Sequence, residues 1–286
     1  MDISIAAKTD PGKERDQNED AFIFCPDLSS PDWTHNRASV TLGPYGCLLC
    51  VADGIGGANN GETASKLATD SIKRSFSNSV DVSKAASSES NIKNFLAYAI
   101  KEADLKIKHY ATGHPDSLGL GTTIVVCWIL NNTAYIAWCG DSRCYLFNPK
   151  AGLLPLTKDH SYVQELVDKG ELTKDEAFCH PESNIITRAL GDSDIQTLPD
   201  IVTHTVEPED IILLCSDGLC GYCSNQSIEE VIRNNYSDMN HCCNKLLQLS
   251  LDTGGYDNIC ILLASLSQQK STVINFFKHW FSFLSK

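Results

Sequence analysis

The sequence predicts an α+β fold in which antiparallel strands meet as a sandwich, and three features predict it. The apolar run Leu48, Leu49, Cys50, Val51, Ala52 stops abruptly at Asp53-Gly54 and opens into Ile55-Gly56-Gly57. Such a strand reads as buried on both faces, so Asp53 leaves a rigid scaffold, and the glycines let the main chain approach a ligand closely. From Gly121 the apolar period becomes that of short strands broken by turn residues, whereas 61–76 and 92–110 carry helical spacing. The Asp53 pattern also recurs: Trp138-Cys139-Gly140-Asp141 and Ile211 to Asp217 again end an apolar run in a carboxylate.

In chain order, Ile3 to Ala7 reads as a short edge strand, and a Pro/Gly turn at Thr9 to Lys13 leads to Arg15-Asp16-Gln17-Asn18-Glu19-Asp20. Ala21 to Phe24 begins a second strand. Residues 26–45 are polar and read as a loop into the Asp53 strand. Gly61 to Phe76 is a helix by Ala64, Leu67, Ala68, Ile72 and Phe76. After a Ser/Asn linker, a second helix spans Ile92 to Tyr110 with Phe95, Leu96, Ala99, Leu105 and Ile107 inward. Thr122 to Leu130, Ala134 to Cys139, Arg143 to Phe147 and Leu153 to Leu156 read as an antiparallel meander, with Asn131-Asn132 at its first turn. Ser161 with Gln164 and Thr173 with Glu176 have capping-box spacing, and Gly170 suits a helix stop, so 160–185 is a candidate flap over a site. Ile185 to Leu190 returns to the body, and Ile211 to Cys215 is the strand that ends in Ser216-Asp217-Gly218. Helices near Ile228 to Asn235 and Cys242 to Leu251 precede Asp257-Asn258 and a last strand, Ile259 to Leu266.

At 286 residues the chain is long enough for one large domain. Its net charge of −13 has no dense basic stripe against it, which argues against nucleic acid as partner. Thirteen cysteines, an odd number set in apolar runs without a leader before them, read as reduced thiols packed as small hydrophobes in a cytoplasmic protein. Cys47 with Cys50 and Cys220 with Cys223 have the gap of zinc pairs, but the first pair lies within a strand and neither has a His-rich companion.

Asp53, Asp141, Asp217 and Asp257 flank strands, and Glu19 with Asp20 flanks another, so a sandwich gathers six acids at one rim. Two unit charges ~5 Å apart repel by roughly 3 kcal/mol at an effective dielectric near 20, and cations must answer them. An all-oxygen set without His suits Mg²⁺ or Mn²⁺ above zinc or copper; Ca²⁺ lacks its usual loop here. Two ions sharing Asp53 would acidify a water for in-line attack on a phosphate ester.

These residues resemble the metal-dependent type 2C (PPM) Ser/Thr protein phosphatases. The matches are Arg15 to Asp20, Val51 to Gly57, Gly121-Thr122-Thr123, Cys139 to Arg143, Leu156 to Ser161, Ile186 to Asp192, Ser216-Asp217-Gly218 and Asp257-Asn258, in family order from about residue 3 to 266. The stretch Val167 to Thr173 and His180-Pro181 is similar to the bacterial branch. The resemblance implies a four-layer α/β/β/α sandwich with a metal centre in a cleft at one end of two antiparallel sheets. It implies a phosphorylated protein as substrate and direct attack by a bridging hydroxide. Asp53 would bridge two Mg²⁺ or Mn²⁺ ions, one also held by Asp217 and Asp257, the other by Glu19 and the Gly54 carbonyl. Asp20 would orient bound waters, Arg15 would bind phosphate, and Asp141 with Asp217 would form a third site. In this chain Ile55 and Ala58 stand where some relatives carry a His near the Asp-Gly, so the leaving alcohol must take its proton from a metal-bound water or an unidentified group; His160 and His180 read as structural.

Two other classes fit the same acids: a catalytically silent phosphoprotein-binding regulator, which would have lost ligands, and a small-molecule metallohydrolase or calcium-binding module. Cys139 and Cys215, each two residues before an acid, could make activity redox-sensitive, although buried thiols are normally inert. The phosphatase domain is expected to span 1–266, and 267–286 to form an apolar, basic tail. As a helix, Thr272 to Ser285 is only about 21 Å long, short of the ~30 Å hydrocarbon core, so it does not span a membrane. The simpler expectation is a helix docked on its own domain or a partner subunit. The alternative is a peripheral anchor for an anionic membrane or a target protein, built from Phe276, Phe277, Trp280, Phe281, Phe283 and Lys270, Lys278 and Lys286.

Overall fold

The computed structural model describes residues 1–33, 39–56, 60–114, 119–191 and 197–268. In chain order, β1 (Asp2–Asp10), β2 (Asp20–Cys25), β3 (Ser39–Thr41) and β4 (Cys47–Ile55) lead into α1 (Asn60–Ser77), α2 (Ser79–Ala85) and α3 (Glu89–Gly113). The middle of the chain holds β5 (Gly121–Thr122), β6 (Ile124–Leu130), β7 (Thr133–Cys139), β8 (Arg143–Asn148), β9 (Gly152–Pro155), α4 (Tyr162–Asp168) and α5 (Lys174–Phe178). Then come β10 (Asp200–Thr205), β11 (Ile211–Cys215), α6 (Asp217–Cys220), α7 (Asn225–Asn235), α8 (Met239–Asp252) and β12 (Ile259–Ser267).

Two sheets result, one ordered β3-β1-β12-β11-β8-β9 and the other β10-β7-β6-β4-β2, with β5 paired to β4. Their pairings are antiparallel throughout. The period of two in β4 divides it between two cores. Cys47, Leu49 and Val51 meet Ile212, Leu214, Leu262 and Ala264 between the sheets, while Leu48, Cys50 and Ala52 meet Ala64, Ala68 and Ile72 of α1. A third core packs α6, α7 and α8 through Leu219, Ile228, Ile232, Cys243 and Leu246 on the outer face of β11 and β12. The order helix, sheet, sheet, helix is the four-layer sandwich. Trp128 clamps the first helical layer, with Phe76 and Phe95 edge-on at 5.1 and 6.1 Å, contacts worth about 0.5–1.5 kcal/mol each beyond area burial.

The structure corrects several expectations. Strand β1 is longer than expected and lies inside its sheet, because the three residues of β3, within the expected loop, cover its edge. The meander is two hairpins: β6–β7 belongs to one sheet and β8–β9 to the other, with Gly140-Asp141-Ser142 crossing between them. Helix α2 occupies the expected linker, started by the Asn78 side chain accepting from the Val80 amide at 3.1 Å. Leu105 is 49% exposed, and the inner face of α3 is completed by Ile100, Ala103 and Asp104. Strand β10 and helix α6 are additional.

In the flap, Thr173 and Glu176 complete a capping box. Ser161 only half completes one: it accepts from the Gln164 amide at 3.4 Å, while the Gln164 side chain turns to Asp168. Twelve of the thirteen cysteines are buried, and Cys179 is exposed. Cys47 and Cys50, three residues apart on a strand, face different cores and cannot share an ion. Burial pushes the Cys139 thiol up to about 12, away from the reactive thiolate. Among the described residues no helix is long and apolar enough to cross a membrane. Ser267, at the start of the expected tail, ends β12 opposite Asp2; from residue 269 the tail lies outside the described residues.

Candidate metal centre

Strand register carries the acids to one end of the sandwich. Asp20 opens β2 directly opposite Asp53 near the end of β4. In the facing sheet, Cys215 pairs with Ile261 and Arg143, which puts Asp217, Asp257 and Asp141 at the strand ends beside them. The Asp53 backbone is fixed by the Thr122–Thr123 stretch. Its carbonyl accepts from the Thr123 amide and the Thr122 hydroxyl, each at 2.8 Å, and its amide donates to the Thr123 hydroxyl at 3.2 Å. Gly54 is needed for close approach, since a Cβ there would lie 2.3 Å from the Gly61 carbonyl oxygen at the start of α1.

Glu19 is tied to both sheets. Its amide donates to Asn258 Oδ1 at 2.7 Å, its carbonyl accepts from the Gly54 amide at 3.2 Å, and Asn258 Nδ2 also donates to the Pro11 and Gln17 carbonyls. Asp20 Oδ2 accepts from the Ser216 hydroxyl at 2.7 Å, and that hydroxyl accepts from the Cys260 amide at 2.9 Å. Arg15, more than half exposed, pairs with Asp257 at 2.7 Å.

This clustering is electrostatically costly. Burial pushes the Asp20 carboxyl up to about 8, with Asp217 and Asp257 adding to the shift and the Ser216 hydrogen bond opposing it. Asp217 is pushed up to about 6, by burial and then by Asp257. Burial raises Asp53 and Asp141 well above the usual carboxylate range, with Asp20 and Asp217 acting on the first and Asp217 and Asp159 on the second. Burial also raises Glu19, against the Gly61 amide that bonds it. Asp20 Oδ1 and Asp141 Oδ1 are buried without a hydrogen-bond partner among the described residues. Buried polar atoms are normally paired, so two orphaned carboxylate oxygens in one acidic cluster fit a hard divalent cation. Among the described residues no three His, Cys, Asp or Glu side chains are closed around a common point; Asp257 is taken up by Arg15 instead.

The protein phosphatase 2C family model matches residues 12–169 and 181–259. The chain belongs to this family. A serine/threonine phosphatase, stp, of Listeria monocytogenes is 34% identical over 218 residues, 76% of this chain and 83% of that protein. The crystal structure of the serine/threonine phosphatase Stp1 from Staphylococcus aureus has a TM-score of 0.78 at 32% identity, covering 93% of this chain and 96% of that one. The catalytic domain of the serine/threonine protein phosphatase PstP, in complex with two manganese ions, has a TM-score of 0.74 at 27% identity over 93% of this chain and 99% of that one. Phosphatases of the 2C family depend on metal, so the oxygen-only cluster has the donors its family requires.

The interruption of the match, 170–180, falls on the turn after α4 and on α5, in the flap. This phosphatase's flap walls a cavity of about 590 Å³ that reaches Asp141, Arg143 and Asp217 on one side and Val163, Val167 and Phe178 on the other. His160 and His180 both take part in hydrogen bonds that hold the fold. His160 Nδ1 accepts from the Gly140 amide at 3.1 Å, its Nε2 meets Asp200 at 3.3 Å, and burial lowers its pKa, which keeps it neutral. His180 Nδ1 accepts from the Glu182 amide at 3.1 Å. Gly57, Ala58 and Asp192 of the sequence motifs lie outside the described residues. Sequence reasoning passed over Ser216, Asn258, Thr122 and Thr123 as positioning groups. Their signal was adjacency, each being a polar residue within a motif beside a ligand-type acid.

Proposed function

We infer that this phosphatase removes phosphate from phosphoserine and phosphothreonine in proteins, using two Mg²⁺ or Mn²⁺ ions. The observation that carries the reading is the pair of orphaned, buried oxygens of Asp20 and Asp141 inside a cluster of six acids, beside one exposed guanidinium. Asp53 would be shared by both ions, with Asp217 and Asp257 on one and Glu19 and the Gly54 carbonyl on the other; Asp141 with Asp217 would take a third. When bound, the ions supply Lewis-acid activation of water and neutralise phosphate charge. The chain's own groups do the rest. Asp20, held by Ser216, accepts hydrogen bonds from water at the floor and orients it. Arg15 offers a planar fork to the phosphate oxygens, exchanging Asp257 for substrate. No acid of the set is missing, which favours a catalyst over a silent binder.

Hydrolysis of p-nitrophenyl phosphate and of a phosphothreonine peptide, with Mn²⁺ or Mg²⁺ against a chelator, tests the reading. Metal-dependent turnover of both is expected. Turnover that survives the chelator, or that occurs only with phosphotyrosine, would refute it.

A further inference from the structure

In-line displacement sends the departing alcohol away from the attacking water, so its proton must come from the solvent side of the site. The acids form the floor. On the rim stand Arg15 and an aromatic pair, Tyr222 and Tyr256, 38% and 53% exposed with ring centroids 5.5 Å apart. Tyr222 follows α6 directly, its amide donating to the Leu219 carbonyl, so the helix that begins at Asp217 also places this ring. It lines the same cavity as Asp217 and Asp141 and lies within the electrostatic reach of Arg15, Asp53, Asp217 and Asp257. Its phenol makes no hydrogen bond to any described residue, and of the two rim phenols it is the one that lines this cavity, while several other proton carriers nearby are engaged. Arg143 is held by Asp159 and Tyr145, Lys158 by Asp168, the Cys220 thiol by the Ser216 carbonyl, and His160 by Gly140 and Asp200.

We propose that Tyr222 is a catalytic residue, its phenol donating a hydrogen bond and then its proton to the ester oxygen of the departing serine or threonine. The P–O ester bond breaks with its electron pair on the alcohol oxygen, which takes the phenolic proton. A P–O bond forms to the water oxygen, and the proton this water releases returns through solvent to the phenolate, so one water is consumed overall. A serine or threonine alkoxide is far more basic than a phenolate, so a phenol is acid enough for this transfer. Tyr256 keeps the Tyr222 ring in place by packing.

The inference rests on the phosphatase reading above, and leaving-group dependence tests it separately. Tyr222→Phe in the full chain keeps the ring and its contact with Tyr256. With Mn²⁺, it is expected to lower kcat on a phosphothreonine peptide by about 10²-fold with little change in KM. The loss should be roughly tenfold on phenyl phosphate and about threefold or less on p-nitrophenyl phosphate, whose leaving group needs no proton. Equal losses on all three substrates, or no loss on the peptide, would overturn the assignment of Tyr222. If the wild-type protein shows no metal-dependent turnover of any of them, the underlying phosphatase reading fails instead.

Discussion

Two polar clusters sit at the same end of the sandwich and have been solved in opposite ways. At the flap root, charges and hydrogen bonds close. Arg143 lies across Asp159 in a two-pronged contact at 2.6 and 2.8 Å, Arg188 pairs with Asp200 at 2.9 Å, and neutral His160 joins Gly140 to Asp200 while stacking on Trp138. Beside it, the acids of the proposed metal centre do not close. Two buried oxygens have no partner among the described residues, and the charged forms of Asp20, Asp53, Asp141 and Asp217 are all disfavoured by burial and by one another. A satisfied polar network holds a fold together, whereas an unsatisfied one marks where the fold expects something else to bind.

Substitution should separate the two clusters sharply. Asp53→Asn is expected to lower metal-dependent turnover by roughly 10³-fold or more, since it weakens both ions, and Asp217→Asn to do nearly as much, while both variants stay folded by circular dichroism. Near-wild-type turnover in Asp53→Asn would remove Asp53 from the centre. His160→Ala should behave in the reverse manner. It leaves the Gly140 amide unpaired and is expected to cost about 1–3 kcal/mol of stability, read by urea unfolding, with turnover of the folded fraction within roughly tenfold of wild type. A His160→Ala protein of unchanged stability would mean that the flap root is not the structural cluster described.

The sequence showed these regions unequally. The Asp53 strand was legible because an apolar run without alternation has few alternatives to a strand between two layers, and its carboxylate then has only one place to emerge. Strand β3 was hidden by its three residues, and β10, Asp-Ile-Val-Thr-His-Thr, by its place on an edge, where half-exposed positions do not enforce an apolar pattern. The expected meander is instead two hairpins in two sheets, because turn residues say that a chain reverses, not which sheet it joins next. At the site the ligand-type acids were visible from their repeated setting. Their holders were not, since Ser216 and Asn258 act through contacts to residues about 200 positions away, at Asp20 and Glu19.

The smallest expected effect is also the most direct reading of the comparison, namely the melting temperature of the metal-stripped protein against pH. Unfolded carboxylates titrate near 4, whereas Asp217 and Asp20 in the fold are pushed up to about 6 and about 8. Between about pH 4 and pH 8 the unfolded chain therefore releases protons that the fold retains, and stability falls as pH rises. Asp53→Asn removes one of the mutually opposed acids and so should reduce that fall, and the difference between the two curves cancels the titration of the rest of the chain. The account predicts that the stripped wild type loses more stability than Asp53→Asn from pH 5 to pH 8, by about 1–2 kcal/mol or several degrees, and that Mn²⁺ restores the wild type at pH 8 but not the variant. Parallel curves for the two stripped proteins, or equal stabilisation of both by Mn²⁺, would contradict it.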